Sequence, residues 1–129
     1  MAPVVGIVVV SHSASLASGV ADLAGQMAGE DVRIEPAGGT PDGGLGTDAS
    51  LVEQAIERAD TGDGVVILCD IGSSILTVRT LLEDEPDGAV LADAPLVEGA
   101  VSAAVMSSAG RPAQEVVNAA EEARGARKL

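Results

Sequence analysis

The chain has 129 residues, enough for one hydrophobic core and too few for two, so a single domain over residues 1–129 is expected. It carries 20 acidic residues against 7 basic ones, a formal net charge of -13, which repels nucleic acid and anionic membrane surfaces. Phe, Tyr and Trp are all absent, which removes any site built on aromatic stacking and leaves the core to Val, Leu, Ile, Ala and Met.

Val4 to Val10 is a continuous, mostly β-branched run rather than an alternating one. That pattern predicts a parallel strand covered on both faces. The run is far shorter than the ~20 residues of a membrane span and lacks a basic flank, so neither a span nor a targeting signal is expected. Cys69 is the single cysteine and lies in an apolar run, so the expected compartment is the reducing cytoplasm.

After Ser11-His12-Ser13-Ala14-Ser15, the apolar positions Leu16, Val20, Leu23, Ala24 and Met27 predict a first helix ending near Gly29. Val32 to Glu35 reads as a short strand, and the Gly-rich stretch Pro36 to Gly46 as a mobile loop without a phosphate-loop fingerprint. Thr47 or Asp48 can cap a second helix carrying Leu51, Val52, Ala55 and Ile56. Val65 to Cys69 is again a buried-type strand, stopping at Asp70-Ile71-Gly72-Ser73-Ser74 before a third helix with Leu76, Val78, Leu81 and Leu82. Ala89 to Ala92 predicts a fourth strand, and Val97 to Ser108 and Pro112 to Arg127 two closing helices parted by Gly110.

Strands alternating with helices imply right-handed crossovers and a doubly wound α/β fold with helices on both faces of a mostly parallel sheet. The expected order is 2-1-3-4, with room for an extra edge strand. In that order strands one and three lie side by side while their helices leave toward opposite faces, opening a crevice at the carboxyl ends. His12, the only histidine, then meets Asp70 and Gly72.

One imidazole nitrogen donating to Asp70 would fix the tautomer and turn the other, as a nucleophile, toward the crevice. Ser13 and Ser15 open the first helix, and Gly72 and Ser73 the third. Their hydroxyls and first-turn N–H groups could hold a phosphoryl group without a lysine. Each of these has a plain reading when taken alone: His12, Asp70, Ser73 and Ser74 as caps or surface groups, Cys69 as core filler, Arg79 as a solvated cation. One His with one Cys makes no zinc ligand set, so no metal is expected.

Four segments taken together carry a family resemblance: Ile7-Val8-Val9-Val10-Ser11-His12-Ser13, Gly46-Thr47-Asp48-Ala49, Asp70-Ile71-Gly72-Ser73-Ser74 and Ala94-Pro95-Leu96-Val97-Glu98-Gly99. They closely resemble the phosphocarrier subunits of phosphotransferase-system-dependent dihydroxyacetone kinases, whose fold is that of mannose-type enzyme IIA domains. The resemblance implies that His12 accepts a phosphoryl group from HPr, as a phosphohistidine expected at Nε2, with Asp70 orienting it. It further implies transfer to ADP on the nucleotide-binding subunit of the kinase, while a separate subunit holds dihydroxyacetone. No cofactor is then bound by this chain itself, since ADP and ATP belong to the partner subunit, and a homodimer is expected. The rival readings are a sugar-specific mannose-class enzyme IIA donating to an enzyme IIB, a flavodoxin-like binding module, and a receiver domain phosphorylated on aspartate. The receiver reading lacks an acidic pair after the first strand.

Overall fold

In a computed structural model, which describes residues 3–84 and 88–129, the first strand is β1 (Gly6–Ser11), followed by helix α1 (Ala14–Ala28). Strand β2 (Ile34–Gly38), helix α2 (Ala49–Ala59), strand β3 (Val65–Cys69) and helix α3 (Gly72–Asp84) come next. Strand β4 (Ala89–Leu91), helices α4 (Leu96–Ser108) and α5 (Ala113–Glu122), and a short 3₁₀ turn (Ala123–Gly125) complete the chain. The sheet is four-stranded, in the order β2-β1-β3-β4. Every pairing is parallel. The doubly wound α/β fold with order 2-1-3-4 is thus the one expected, without a further edge strand among the described residues.

The continuous apolar runs make sense because both faces of β1 and β3 are covered. Ile7, Val9, Val66 and Leu68 point to α1, α4 and α5, while Val8, Val10, Val65, Ile67 and Cys69 point to α2 and α3. Helices α1 and α3 therefore leave on opposite sides of the two central strands, as a crevice at their carboxyl ends requires. Among the described residues, no helix is long and apolar enough to cross a membrane.

Three local expectations change. The second strand begins and ends later than the Val32 to Glu35 run, taking in Pro36, Ala37 and Gly38 from the stretch read as a loop. Strand β2 lies at the sheet edge and pairs only with β1, so a proline without an N–H is tolerated there. The core face of α1 is Ala17, Val20, Ala21 and Ala24, whereas Leu16, Leu23 and Met27 are exposed. Helix α1 packs on α4 through the alanines Ala100, Ala103 and Ala104, and so close an approach admits small side chains where leucines would not fit. Methionine likewise contributes nothing to the buried core, which is Val, Ile and Ala with Leu68 and Cys69 among the described residues, although Met106 packs against its edge.

Candidate functional site at the ends of β1 and β3

The register Val10↔Cys69 places the next residues of the two strands side by side. The Asp70 N–H donates to the Val10 carbonyl at 3.1 Å, carrying the ladder one step past β3. His12 and Asp70, 58 positions apart in sequence, are thereby neighbours. Two further contacts shape the rim: the Gly39 N–H donates to the Ser11 carbonyl at 3.2 Å and the Gly46 N–H to the His12 carbonyl at 2.9 Å. The Gly-rich loop is thus bonded at both its ends to the His12 segment. Gly38 is forced by proximity, since a Cβ there would stand 2.5 Å from the Ser13 carbonyl oxygen and 2.8 Å from Ala14 Cα.

Asp70 is the hub. Its Oδ2 accepts from the Ser11 hydroxyl at 2.9 Å and from the His12 N–H at 3.0 Å. Its Oδ1 accepts from the Ile71 N–H at 2.7 Å and from the Ser74 hydroxyl, and lies 3.1 Å from His12 Nδ1. Burial by itself would raise the Asp70 carboxyl, but hydrogen bonds from Ser74, the His12 and Ile71 amides and Ser11 outweigh it and hold the group well below the usual carboxylate range.

An ionised carboxylate can only accept, so Nδ1 of His12 must carry the proton that joins them. Nε2 of the neutral ring then holds a lone pair, and the Ser73 hydroxyl, which touches it, donates to it. The His12 side chain is 22% exposed, enough for a reacting atom to reach Nε2 while the Nδ1 side stays packed against Asp70.

The other expected site residues divide. Ser13 is occupied twice over: its Oγ caps α1 by accepting from the Leu16 N–H at 3.2 Å, and its own N–H donates to Ser11 Oγ at 3.0 Å. Ser15 is exposed in the first turn of α1 and reaches neither His12 nor Asp70 through a hydrogen bond. Gly72 and Ser73 start α3 beside Nε2. Their N–H groups precede the first bonds of the helix, which run from the Ser74 and Ile75 amides to the Ile71 carbonyl. Nothing lies within 4 Å of where a Gly72 Cβ would be, so the backbone there is open to a ligand.

Sequence reasoning passed over the two hydroxyls that hold Asp70. Ser11 read as the residue before the histidine and Ser74 as a helix cap, yet both are wholly buried. Both serines lay in the segments that carry the family resemblance, but nothing there distinguished them from the other serines of the site. Arg79 lines a cleft of about 520 Å³ that opens beside Asp70 between α3 and the end of β4, with Ile75 and Asp93 also on its walls. Cys69 faces the α2 and α3 side of the sheet, and burial, with the Asp70 charge adding to it, pushes its thiol up to about 12. No cluster of three or more His, Cys, Asp or Glu able to hold a metal occurs among the described residues.

The family model EIIA-man, described as the PTS system fructose IIA component, matches residues 6–121. The chain belongs to the EIIA-man family. Within it, the chain is 39% identical over 117 residues to the phosphoryl donor subunit DhaM of PEP-dependent dihydroxyacetone kinase 2 from Listeria innocua, covering 88% of this chain and 93% of that one. It is 40% identical over 120 residues to the DhaM subunit from Escherichia coli, covering 88% of this chain but 25% of that longer protein. A crystallised protein described as being of unknown function, EF1359, superposes with a TM-score of 0.85 at 31% identity over 97% of this chain and 98% of its own.

Membership gives the four quoted segments a division of labour. The segments around His12 and Asp70 make the hydrogen-bonded centre. In the segment around Gly46, Asp48 caps α2 through the Leu51 N–H at 3.1 Å. The last segment is a packing device of this EIIA-man domain: a Cβ on Gly99 would come within 2.8 Å of Leu68 Cδ2, so glycine lets α4 settle on β3.

Proposed function

We propose that the protein is the phosphoryl donor subunit of a PEP-dependent dihydroxyacetone kinase and that His12 is its phosphoryl carrier. In this reading Nε2 of His12 attacks the phosphorus of a phosphohistidine on HPr; the new N–P bond forms as the donor's N–P bond breaks. The group then passes to the β-phosphate of ADP held on the nucleotide-binding subunit of the kinase, giving ATP there and returning His12 to its free form. This chain binds no nucleotide in either step, acts as a homodimer, and works in the cytoplasm.

The observation that carries the reading is the division of the imidazole, with Nδ1 on Asp70 and Nε2 facing the start of α3. A group arriving at Nε2 displaces the Ser73 hydroxyl, which can then donate to a phosphoryl oxygen together with the Gly72 and Ser73 amides. An α-helix N-terminus favours such an anion. Among the described residues no lysine or arginine is hydrogen-bonded or ion-paired to His12, and Arg79 lies on the cleft beside Asp70, so further cations that neutralise the transferring group would come from the partners. The DhaM identity of the relatives supports the choice of acceptor.

Incubation with phosphoenolpyruvate, enzyme I and HPr tests the reading. One acid-labile phosphate on His12 is expected, lost in His12→Ala and gained about ten-fold or more slowly in Asp70→Ala, the size typical of losing an orienting partner. The loaded protein is then offered either an ADP-charged kinase subunit or an enzyme IIB. No label on His12 removes the carrier role, and discharge only to enzyme IIB replaces the kinase with a sugar-specific system.

A further inference from the structure

We propose that Ser11 and Ser74 are positioning residues whose buried hydroxyls clamp the two oxygens of Asp70, keeping the proton of His12 on Nδ1 and Nε2 open as the nucleophile. The inference rests on the carrier role of His12. Both serines are fully buried, at 0% exposure. A hydroxyl in such a place costs free energy unless it is bonded, and neither position needs one for its element. Ser11 ends a strand that otherwise reads Val8-Val9-Val10, where valine would serve. Ser74 lies on the inner face of α3, where alanine would pack as well.

Each hydroxyl has two partners, and in each case one of them is Asp70. Ser11 Oγ donates to Oδ2 at 2.9 Å and accepts from the Ser13 N–H at 3.0 Å, tying the carboxylate to the residue that caps α1. Ser74 Oγ donates to Oδ1 and presents a lone pair 3.1 Å from His12 Nδ1. The carboxylate plane is therefore gripped at both ends, one hydroxyl coming from β1 and the other from α3. Backbone amides hold one oxygen each, the His12 N–H on Oδ2 and the Ile71 N–H on Oδ1. With a hydroxyl removed, its oxygen loses its side-chain donor, and the carboxylate can tilt out of line with the ring. Nδ1–H then loses its acceptor, and the imidazole is free to move its proton to Nε2, the form that cannot attack phosphorus.

The composition supplies an unusually clean readout. His12 is the one histidine in a chain without Phe, Tyr or Trp, so its ring signals stand alone in the aromatic region of an NMR spectrum. In ¹⁵N-labelled protein, at a pH that keeps the ring neutral, the unaltered chain is expected to show the pattern of a protonated Nδ1 and a bare Nε2. Ser11→Ala and Ser74→Ala should each shift this toward a mixture of tautomers and slow phosphoryl acceptance from phospho-HPr by about ten-fold, with a displaced pH profile. Ser11→Thr, which keeps the hydroxyl on a strand, should restore both. Cysteine at either position, with similar volume and a weaker donor, replaces an alanine variant that does not fold.

The clamp is overturned if both alanine variants keep the parent tautomer, whatever happens to their transfer rates, because slowing without a change at the ring would be a structural effect. A tautomer shift in a protein that accepts no phosphoryl group at all would sustain the clamp and sink the carrier role.

Discussion

Asp70 collects donors from Ser11, Ser74, the His12 ring and two backbone amides, and this sets how it behaves in acid. Its carboxyl is held below its unfolded value of about 3.9. The unfolded chain therefore binds more protons in that range, and stability rises with pH there. The contribution is complete above the unfolded value and is lost as pH falls through the folded one. Urea midpoints measured from pH 6 downward should fall less steeply in Asp70→Asn than in the parent; parallel curves would show that Asp70 is not held in its ionised form. The neighbouring Cys69 titrates in the opposite sense. With its thiol pushed up to about 12 by burial, it stays protonated and shielded. Cys69 is nearly buried and meets only the wall of the cleft beside Asp70, so a thiol reagent at pH 8 should react far more slowly with the native protein than in denaturant, and equal rates would contradict the packing of Cys69 under α2 and α3.

At the scale of elements, the length and type of most segments were legible because unbroken β-branched runs and three-to-four spacing have few competing explanations. The edges of β2 and the inner face of α1 were not. Pro36, Gly38 and Gly39 look like a loop to local rules, and only the pairing Val9↔Pro36 and Ser11↔Gly38 makes an edge strand of Pro36 and Gly38. In α1, hydrophobicity ranked leucine and methionine above alanine for the core, while the distance to α4 selected the reverse. Gly38 joins the two elements, and it yields a prediction. Gly38→Ala would drive its methyl into the Ser13 carbonyl and Ala14, so a loss of about 1–3 kcal/mol is expected from overpacking against backbone. Gly25→Ala, where nothing lies within 4 Å, serves as the control and should be neutral or slightly stabilising because alanine suits a helix. Equal denaturation midpoints for the two variants would refute the close approach of β2 to α1.

For the whole molecule, charge is the dominant property. An excess of acidic residues, 20 against 7, surrounds a site that the chain itself supplies mostly with hydroxyls and amides. Partners presenting positive faces around their own reactive groups would be steered to it, and such steering acts on encounter rate more than on affinity. In the proposed carrier role, the association rate with phospho-HPr is expected to fall as salt shortens the Debye length from about 10 Å at 0.1 M to about 3 Å at 1 M. A rate indifferent to salt would mean that docking depends on apolar contact alone.

The sequence by itself determined the order of strands and helices, the parallel sheet, and the crevice that brings His12 to Asp70, because periodicity and crossover handedness leave little choice once the elements are placed. It also carried the four segments that resemble the phosphocarrier subunits of dihydroxyacetone kinases, and the EIIA-man family model spans all of them. Only the tertiary structure decided which serines do what. Ser13 spends its hydroxyl on a helix cap, Ser73 reaches Nε2, and Ser11 and Ser74 take hold of Asp70. The physical reason is one of scale. A strand or helix follows from the average character of many neighbouring residues, whereas the partner of a hydroxyl depends on ångström-level placement of groups some sixty residues apart, which no local pattern encodes.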